Sequence, residues 1–121
     1  MRINDVAYKI HKTAVRKGWW EDIHLPLNPC LTKHAVNIAS KLALIHSEVS
    51  EALEELRAGD GLSDFYYDKN GKPYGFAVEL ADAVIRILDL AEAMGIDMEE
   101  MIKIKMAYNE KRAYKHGGKK L

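Results

Sequence analysis

Hydrophobic positions recur at helical spacing along most of the chain. In the segment from about Asn4 to Lys17 the apolar residues stand three and four positions apart, which predicts a first helix capped by Asn4 or Asp5 and ended by Gly18. A second helix is predicted from about Thr32 to Ala58. Its apolar seam, which we expect to pack on another helix, consists of Ile38, Leu42, Ile45, Val49, Ala52 and Leu56.

Two further helices are predicted in the second half of the chain. The third runs from about Phe76 to Met94 and is apolar on nearly every side, with Gly95 following as a favourable C-terminal residue. The fourth begins at Asp97 as N-cap, with Glu100 three residues later at the capping-box spacing, and continues to about Lys115. A helix that is apolar all round is normally buried, so the third helix should lie at the centre of the fold.

The segments between these helices carry the turn-forming residues. The stretch from Trp19 to Leu31 contains two of the three prolines and predicts an irregular loop, and Gly59–Gly75 predicts a linker with a small hairpin or closed loop at Asn70-Gly71. No strand pattern competes with the helices. The chain of 121 residues is therefore expected to form one all-α domain, a four-helix bundle, with residues 116–121 as a flexible tail.

Composition restricts the function classes. Eighteen basic residues balance eighteen acidic ones, which argues against a protein whose main partner is nucleic acid. The single cysteine, Cys30, provides no disulfide framework, and the N-terminal residues contain no apolar signal segment. No apolar run is long enough to cross a membrane. We therefore expect a cytoplasmic protein with neither a nucleic-acid nor a membrane partner.

Charged residues form a narrow stripe on the otherwise apolar third helix. Glu79, Asp82, Arg86 and Asp89 fall within about 80° of one another around the helix axis. Buried carboxylates are costly unless they are paired or bind a metal. Arg86 could neutralise a carboxylate of its own helix, but one arginine does not balance three acids.

Acidic residues on the second helix match this stripe. Glu48, Glu51 and Glu55 lie beside the apolar seam, whereas Glu54 lies opposite it. They could be a solvated flank. If the two helices pack antiparallel, however, Glu48 and Glu51 can meet the third-helix stripe. The resulting metal site, made of Glu48, Glu51, Glu79 and Asp82, has only oxygen ligands, which suit Mg²⁺ or Mn²⁺.

Cationic and aromatic residues supply candidate substrate contacts. The inward face of the fourth helix ends in Lys105, Asn109 and Arg112, a set that suits phosphate binding, although a solvated helix end explains it equally simply. Trp19 and Trp20 could stack on a base or fill a core or an interface. Enzymes that catalyse phosphoryl transfer commonly combine carboxylate-bound Mg²⁺ with cationic side chains that bind phosphate.

These motifs resemble the MazG-like all-α nucleoside triphosphate pyrophosphohydrolases. The family signature E-x-x-E, a spacer and E-x-x-D is matched by Glu48-Val49-Ser50-Glu51, residues 52–78, and Glu79-Leu80-Ala81-Asp82. The chain also carries G-I-D at Gly95–Asp97 and K-x-x-x-N-x-x-R from Lys105 to Arg112. It departs from many MazG domains at Ser47, where a further glutamate often stands.

The resemblance implies hydrolysis of a (d)NTP between the α and β phosphates, giving (d)NMP and pyrophosphate. Glu48, Glu51, Glu79 and Asp82 would bind Mg²⁺, and one of Glu48, Glu51 or Glu55 would orient or deprotonate the attacking water. A homodimer or homotetramer is expected. Two alternatives stay open, a phosphoribosyl-ATP pyrophosphohydrolase and a non-catalytic helical module that oligomerises or binds nucleotides.

Overall fold

The computed structural model describes residues 2–21, 32–58 and 65–120. Within these ranges the chain is mostly helical, which confirms the all-α prediction. The helices are α1 (Ile3–Arg16), α2 (Thr32–Ala58), α3 (Phe76–Ala93), α4 (Met98–Glu110) and the single turn α5 (Lys115–Gly118); the strands are β1 (Tyr66–Tyr67) and β2 (Pro73–Tyr74). The predicted loop residues 22–31, with Cys30, lie outside the described residues, as does the start of the predicted linker, 59–64. No helix in the described ranges has the length and apolar character needed to span a bilayer.

The first helix begins earlier than predicted. Its N-cap is Arg2, so the prediction of Asn4 or Asp5 is wrong. The side chain of Asn4 instead donates a hydrogen bond of 2.8 Å to Asp97 Oδ1, which ties the start of α1 to the start of α4. The predicted end is confirmed, because Gly18 has a φ of 88° and its N–H donates to the carbonyl of Val15.

The fourth helix has the predicted start and a different end. Asp97 is its N-cap and accepts from the backbone N–H of Glu100 at 3.0 Å. The helix stops at Glu110, so the prediction that it continues to Lys115 is wrong. Every residue from 103 to 111 is exposed, and no packing supports further turns.

The third helix is the central element of the described structure. It packs against both α1 and α2, while α4 packs against α1. Contacts between α2 and α3 join early residues of one helix to late residues of the other, which makes the pair antiparallel. The buried apolar side chains are Ala7, Trp20, Ala52, Ala83, Leu88, Leu90 and Ala91.

The inward face of α2 differs from the predicted apolar seam. Leu42, Val49 and Leu56 are 47%, 53% and 40% exposed, so these three seam residues do not pack on another helix within the described part of the single chain. The residues that face α3 repeat by three and four and include two carboxylates; they are Ile38, Lys41, Ile45, Glu48, Ala52 and Glu55. Glu48 is held on this face by its ion pair with Arg86 of α3, and the exposed face of α2 is left with apolar side chains.

The predicted hairpin between α2 and α3 is confirmed. Tyr66 pairs with Tyr74, and Tyr67 with Pro73, in an antiparallel register. Asp68 closes the turn, because its Oδ1 accepts from the backbone N–H groups of Asn70 and Lys72 at 2.7 and 2.9 Å. The hairpin places the phenol of Tyr66 beside α2.

Candidate metal centre

Three carboxylates converge where α2 meets the start of α3. One oxygen each from Glu48, Glu51 and Glu79 lies within 4.8 Å of the other two. Glu48 and Glu79 are buried, at 7% and 8% exposure, whereas Glu51 is exposed. This carboxylate cluster could bind a metal ion, and its donor atoms are all oxygen.

Burial and the crowding of carboxylates raise the pKa values of two acids in this region. Burial, followed by the charge and hydrogen bonding of Glu51, raises the pKa of Glu79 from 4.5 to about 7. Burial and the charge of Glu48 also raise the pKa of Asp82, against the opposing effect of Arg86. Burial and neighbouring acids therefore both disfavour the charged forms of Glu79 and Asp82, and a bound cation would favour them.

A single arginine partly balances the cluster. The Arg86 guanidinium donates through Nε to a Glu48 carboxylate oxygen in a very close ion pair between α3 and α2. Among the described residues the ion pair of Arg86 is with α2, and Arg86 acts on Asp82 of its own helix only through its charge. Arg86 reaches across to α2, where Glu48 is buried.

Two other predicted acidic residues border the cluster. Asp82 lies one turn beyond Glu79 on α3, half-buried, and it is not part of the three-carboxylate group. Glu55 lies further along α2, and each of its carboxylate oxygens is 3.4 Å from the hydroxyl of Tyr66. The hydroxyl thus holds the Glu55 carboxylate at the edge of the cluster.

A cavity of about 530 Å³ lies between α1, α2 and α3, and Glu48 of the cluster is part of its lining. It is lined by both acidic and basic residues together with a short apolar wall. The lining residues are Lys9, Ile10, Thr13, Ala14, Lys17, Trp19, Lys41, Glu48, Asp82, Ile85, Arg86 and Asp89. Its volume suits a small molecule.

The end of the cavity away from the cluster is built around Asp89. Its Oδ1 lies 2.7 Å from His11 Nδ1, and the indole N–H of Trp20 lies 3.0 Å from both Oδ1 and Oδ2. Lys41 places its ammonium 4.2 Å from the centre of the Trp20 ring and donates to the Trp19 carbonyl at 3.0 Å. Burial lowers the pKa of Lys41, while Asp89 acts in the opposite direction.

The two tryptophans occupy different environments. Trp20 is buried at 4% exposure and acts as a hydrogen-bond donor inside the fold, which matches the core interpretation of this residue. Trp19 is 66% exposed and lines the cavity, so its ring is available to a ligand.

The cations of the fourth helix stand apart from this cavity. The Lys105 ammonium lies 4.9 Å and the Arg112 guanidinium 5.5 Å from the centre of the Tyr108 ring, and Asn109 accepts from the backbone of Arg112. None of the three lines the cavity. Their assignment to phosphate stays a prediction.

Two residues near the Asp89 end of the cavity, His11 and Lys41, were not predicted as site residues from the sequence. His11 has no ligand-like spacing to another histidine, and Lys41 is one of several surface-type lysines. Their roles depend on contacts across many residues, and the only local signal was that Lys41 shares a helical face with Ile45 and Glu48. Comparison of the chain with protein-family models, curated proteins and solved structures gives no match.

Proposed function

We propose that this protein is a Mg²⁺-dependent nucleoside triphosphate pyrophosphohydrolase of the MazG-like type. It would hydrolyse a (d)NTP between the α and β phosphates and release (d)NMP and pyrophosphate. The observation that supports the proposal best is the convergence of Glu48, Glu51 and Glu79, because Glu48 also lines a cavity that contains cations.

The donor chemistry of the cluster fits a hard divalent cation. Its ligand atoms are carboxylate oxygens, and burial together with the neighbouring acids raises the pKa of Glu79, a penalty on its charge that a bound cation would relieve. Glu48, Glu51 and Glu79 would hold Mg²⁺, with Asp82 one turn away as a further ligand. When bound, Mg²⁺ neutralises phosphate charge and makes a bound water more acidic.

Other side chains of the cavity would bind and orient the substrate. The cations that line it with the acids are Lys9, Lys17, Lys41 and Arg86. Arg86, one turn from Asp82, suits the triphosphate, whereas Lys41 lies at the Asp89 end. Glu55, held by the Tyr66 hydroxyl, would orient the attacking water and accept its proton. Lys105, Asn109 and Arg112 are predicted to contribute further phosphate contacts.

Oligomerisation is part of the proposal, because the helices expose large apolar side chains. Leu53 on α2 and Val84 on α3 are 52% and 53% exposed, in addition to the three seam residues described above. Monomeric proteins rarely leave such faces uncovered. Sedimentation equilibrium at micromolar concentration should therefore show a dimer or tetramer, and a species of only 13.7 kDa would contradict it.

Pyrophosphate release from a panel of NTPs and dNTPs tests the activity. We expect release with Mg²⁺ and none with EDTA. Glu51→Gln should lower turnover by about a hundredfold or more, because it removes a charged ligand of the metal that neutralises phosphate charge. Glu54→Gln is the matched control, since Glu54 is exposed and pairs only with Arg57 among its described contacts. No release from any triphosphate would favour the non-catalytic module.

A further inference from the structure

We propose that the end of the cavity at Asp89 selects a nucleobase with an exocyclic amino group, cytosine or adenine, and that Asp89 accepts a hydrogen bond from that group. The inference rests on the proposed function, because it assigns the base of the nucleotide substrate. It depends on the hydrogen bonds that fix the Asp89 carboxylate.

The carboxylate of Asp89 has room for one more donor. A carboxylate offers about four acceptor positions, two on each oxygen. Among the described residues, Oδ1 accepts from His11 at 2.7 Å and Trp20 at 3.0 Å, whereas Oδ2 accepts only the shared Trp20 N–H at 3.0 Å. One acceptor position on Oδ2 therefore has no donor in the described part of the chain, and Asp89 lines the cavity.

A single open acceptor discriminates among the bases. Guanine presents two adjacent donors on its Watson–Crick edge, and a single open acceptor leaves one of them without a partner. Uracil and thymine present one ring N–H between two carbonyl oxygens, which a carboxylate repels. Cytosine and adenine present an exocyclic amine at the end of that edge, and aspartate is a known acceptor for the cytosine amine.

The position of Asp89 suits a base when the phosphates occupy the carboxylate end. Asp89 follows Asp82 by seven residues on the same face of α3, which corresponds to about 10 Å along the helix. A sugar and the inner edge of a base fill a gap of this size. Trp19 lines the same cavity and offers an exposed ring on which a base can stack.

The Asp89 acceptor is fixed before a ligand arrives. The side chains of His11 and Asp89 are only 14% and 13% exposed, and the Trp20 ring meets His11 edge-on at 5.3 Å. A preorganised acceptor favours the ligand that supplies its missing donor, since little ordering remains to be done on binding.

Competition among dNTPs tests the selectivity of the wild-type protein. With Mg²⁺ present, we expect kcat/KM for dCTP or dATP to exceed that for dUTP, dTTP and dGTP by roughly tenfold or more. Equal rates for dCTP and dUTP, or a preference for dUTP, dTTP or dGTP, would overturn the proposal.

Asp89→Asn tests the residue. We expect kcat/KM for the preferred substrate to fall roughly tenfold while that for dUTP holds or rises, because the amide can offer a donor to a carbonyl oxygen. Glu92→Gln, an acid-to-amide change one turn along α3 and outside the cavity lining, should keep the wild-type ratios. An unchanged ratio in a folded Asp89→Asn protein contradicts the assignment, and if that variant does not fold, the wild-type panel decides.

Binding of monophosphates separates this inference from the proposed activity. If no triphosphate is hydrolysed, the proposed function fails, and calorimetric titration with dCMP, dAMP and dUMP then decides the base preference alone. Tighter binding of dCMP or dAMP than of dUMP, lost in Asp89→Asn, supports the Asp89 site. Equal affinities, or no measurable binding of any of the three, overturn it.

Discussion

Glu79 and Asp89 lie on one face of α3 and have opposite surroundings. Glu79 meets the carboxylates of Glu48 and Glu51, and its pKa rises to about 7. Asp89 meets donors, namely the ring nitrogen of His11 and the indole N–H of Trp20. At the Glu79 end of the stripe the neighbours are other acids, whereas at the Asp89 end the carboxylate is held by hydrogen-bond donors.

This difference separates two ways in which a buried acid is useful. An acid surrounded by other acids destabilises the protein until a cation binds, so it suits a metal ligand. An acid surrounded by donors stabilises its neighbours and offers a rigid acceptor to a ligand. Neutralising substitutions at the two ends should consequently change stability in opposite directions.

The largest stability effect is expected for Glu79→Gln in EDTA. Because the folded-state pKa of Glu79 lies above its usual value of 4.5, the folded protein retains a proton that the unfolded chain releases. Stability should fall as pH rises from 4.5 to about 7, by on the order of 3 kcal/mol, and Gln should remove this loss. Urea unfolding at pH 5 and pH 8 measures it; parallel pH dependence of the two proteins would argue against the crowded cluster.

Magnesium should act only at the carboxylate end. At a hundredfold excess over Kd it should stabilise the wild-type protein by ~2.7 kcal/mol, since it binds the folded state alone. Glu79→Gln should lose this stabilisation and Trp20→Phe should keep it. Thermal melts at pH 8, with and without Mg²⁺, provide the measurement, and a wild-type protein indifferent to Mg²⁺ would rule out the metal site.

Removing a donor from Asp89 should destabilise the protein. Trp20→Phe keeps an aromatic ring and deletes the indole N–H, which should cost about 1–2 kcal/mol in unfolding free energy. Trp19→Phe is the adjacent control and should stay within about 0.5 kcal/mol, because the Trp19 ring is mostly exposed. Equal losses in the two variants, by urea unfolding, would show that the indole hydrogen bond contributes little.

The smallest stability change is expected for Asp82→Asn. Burial and Glu48 disfavour its charge while Arg86 favours it, so the metal-free variant should be as stable as the wild type or up to about 1 kcal/mol more stable. Its Mg²⁺-dependent turnover should be lost. If Asp82 were instead an essential partner of Arg86, its loss would cost roughly 3–5 kcal/mol in the same melts.

Local sequence signals predicted the elements and half of the site. The helix ends at Gly18 and Gly95 follow from glycine's access to positive φ, with values of 88° and 69°. The spacing of Glu79, Asp82, Arg86 and Asp89 placed them on one face of α3 because helical geometry is local.

Contacts between residues far apart in the sequence could not be predicted from the local pattern of apolar and polar positions. Apolar periodicity assigned Leu42 and Val49 to the inner face of α2, yet the ion pair with Arg86 of α3 holds Glu48 on that face. The same limit applies to the N-cap of α1, where Asn4 bonds to Asp97 across the fold. His11 meets Asp89 only because α1 packs on α3, and no short-range pattern contains that information.

Because α4 is exposed, hydrogen exchange of its amides reports local opening of the protein. No side chain of this helix is buried within the single chain, and its start is tied to α1 through Asn4 and Glu99. Its amide protons can therefore exchange with solvent by detachment of α4 alone, without unfolding the α2–α3 pair. If α4 lies in a contact between copies, hydrogen–deuterium exchange over 98–110 should slow as the protein concentration rises. The amides that slow would identify which residues form the contact.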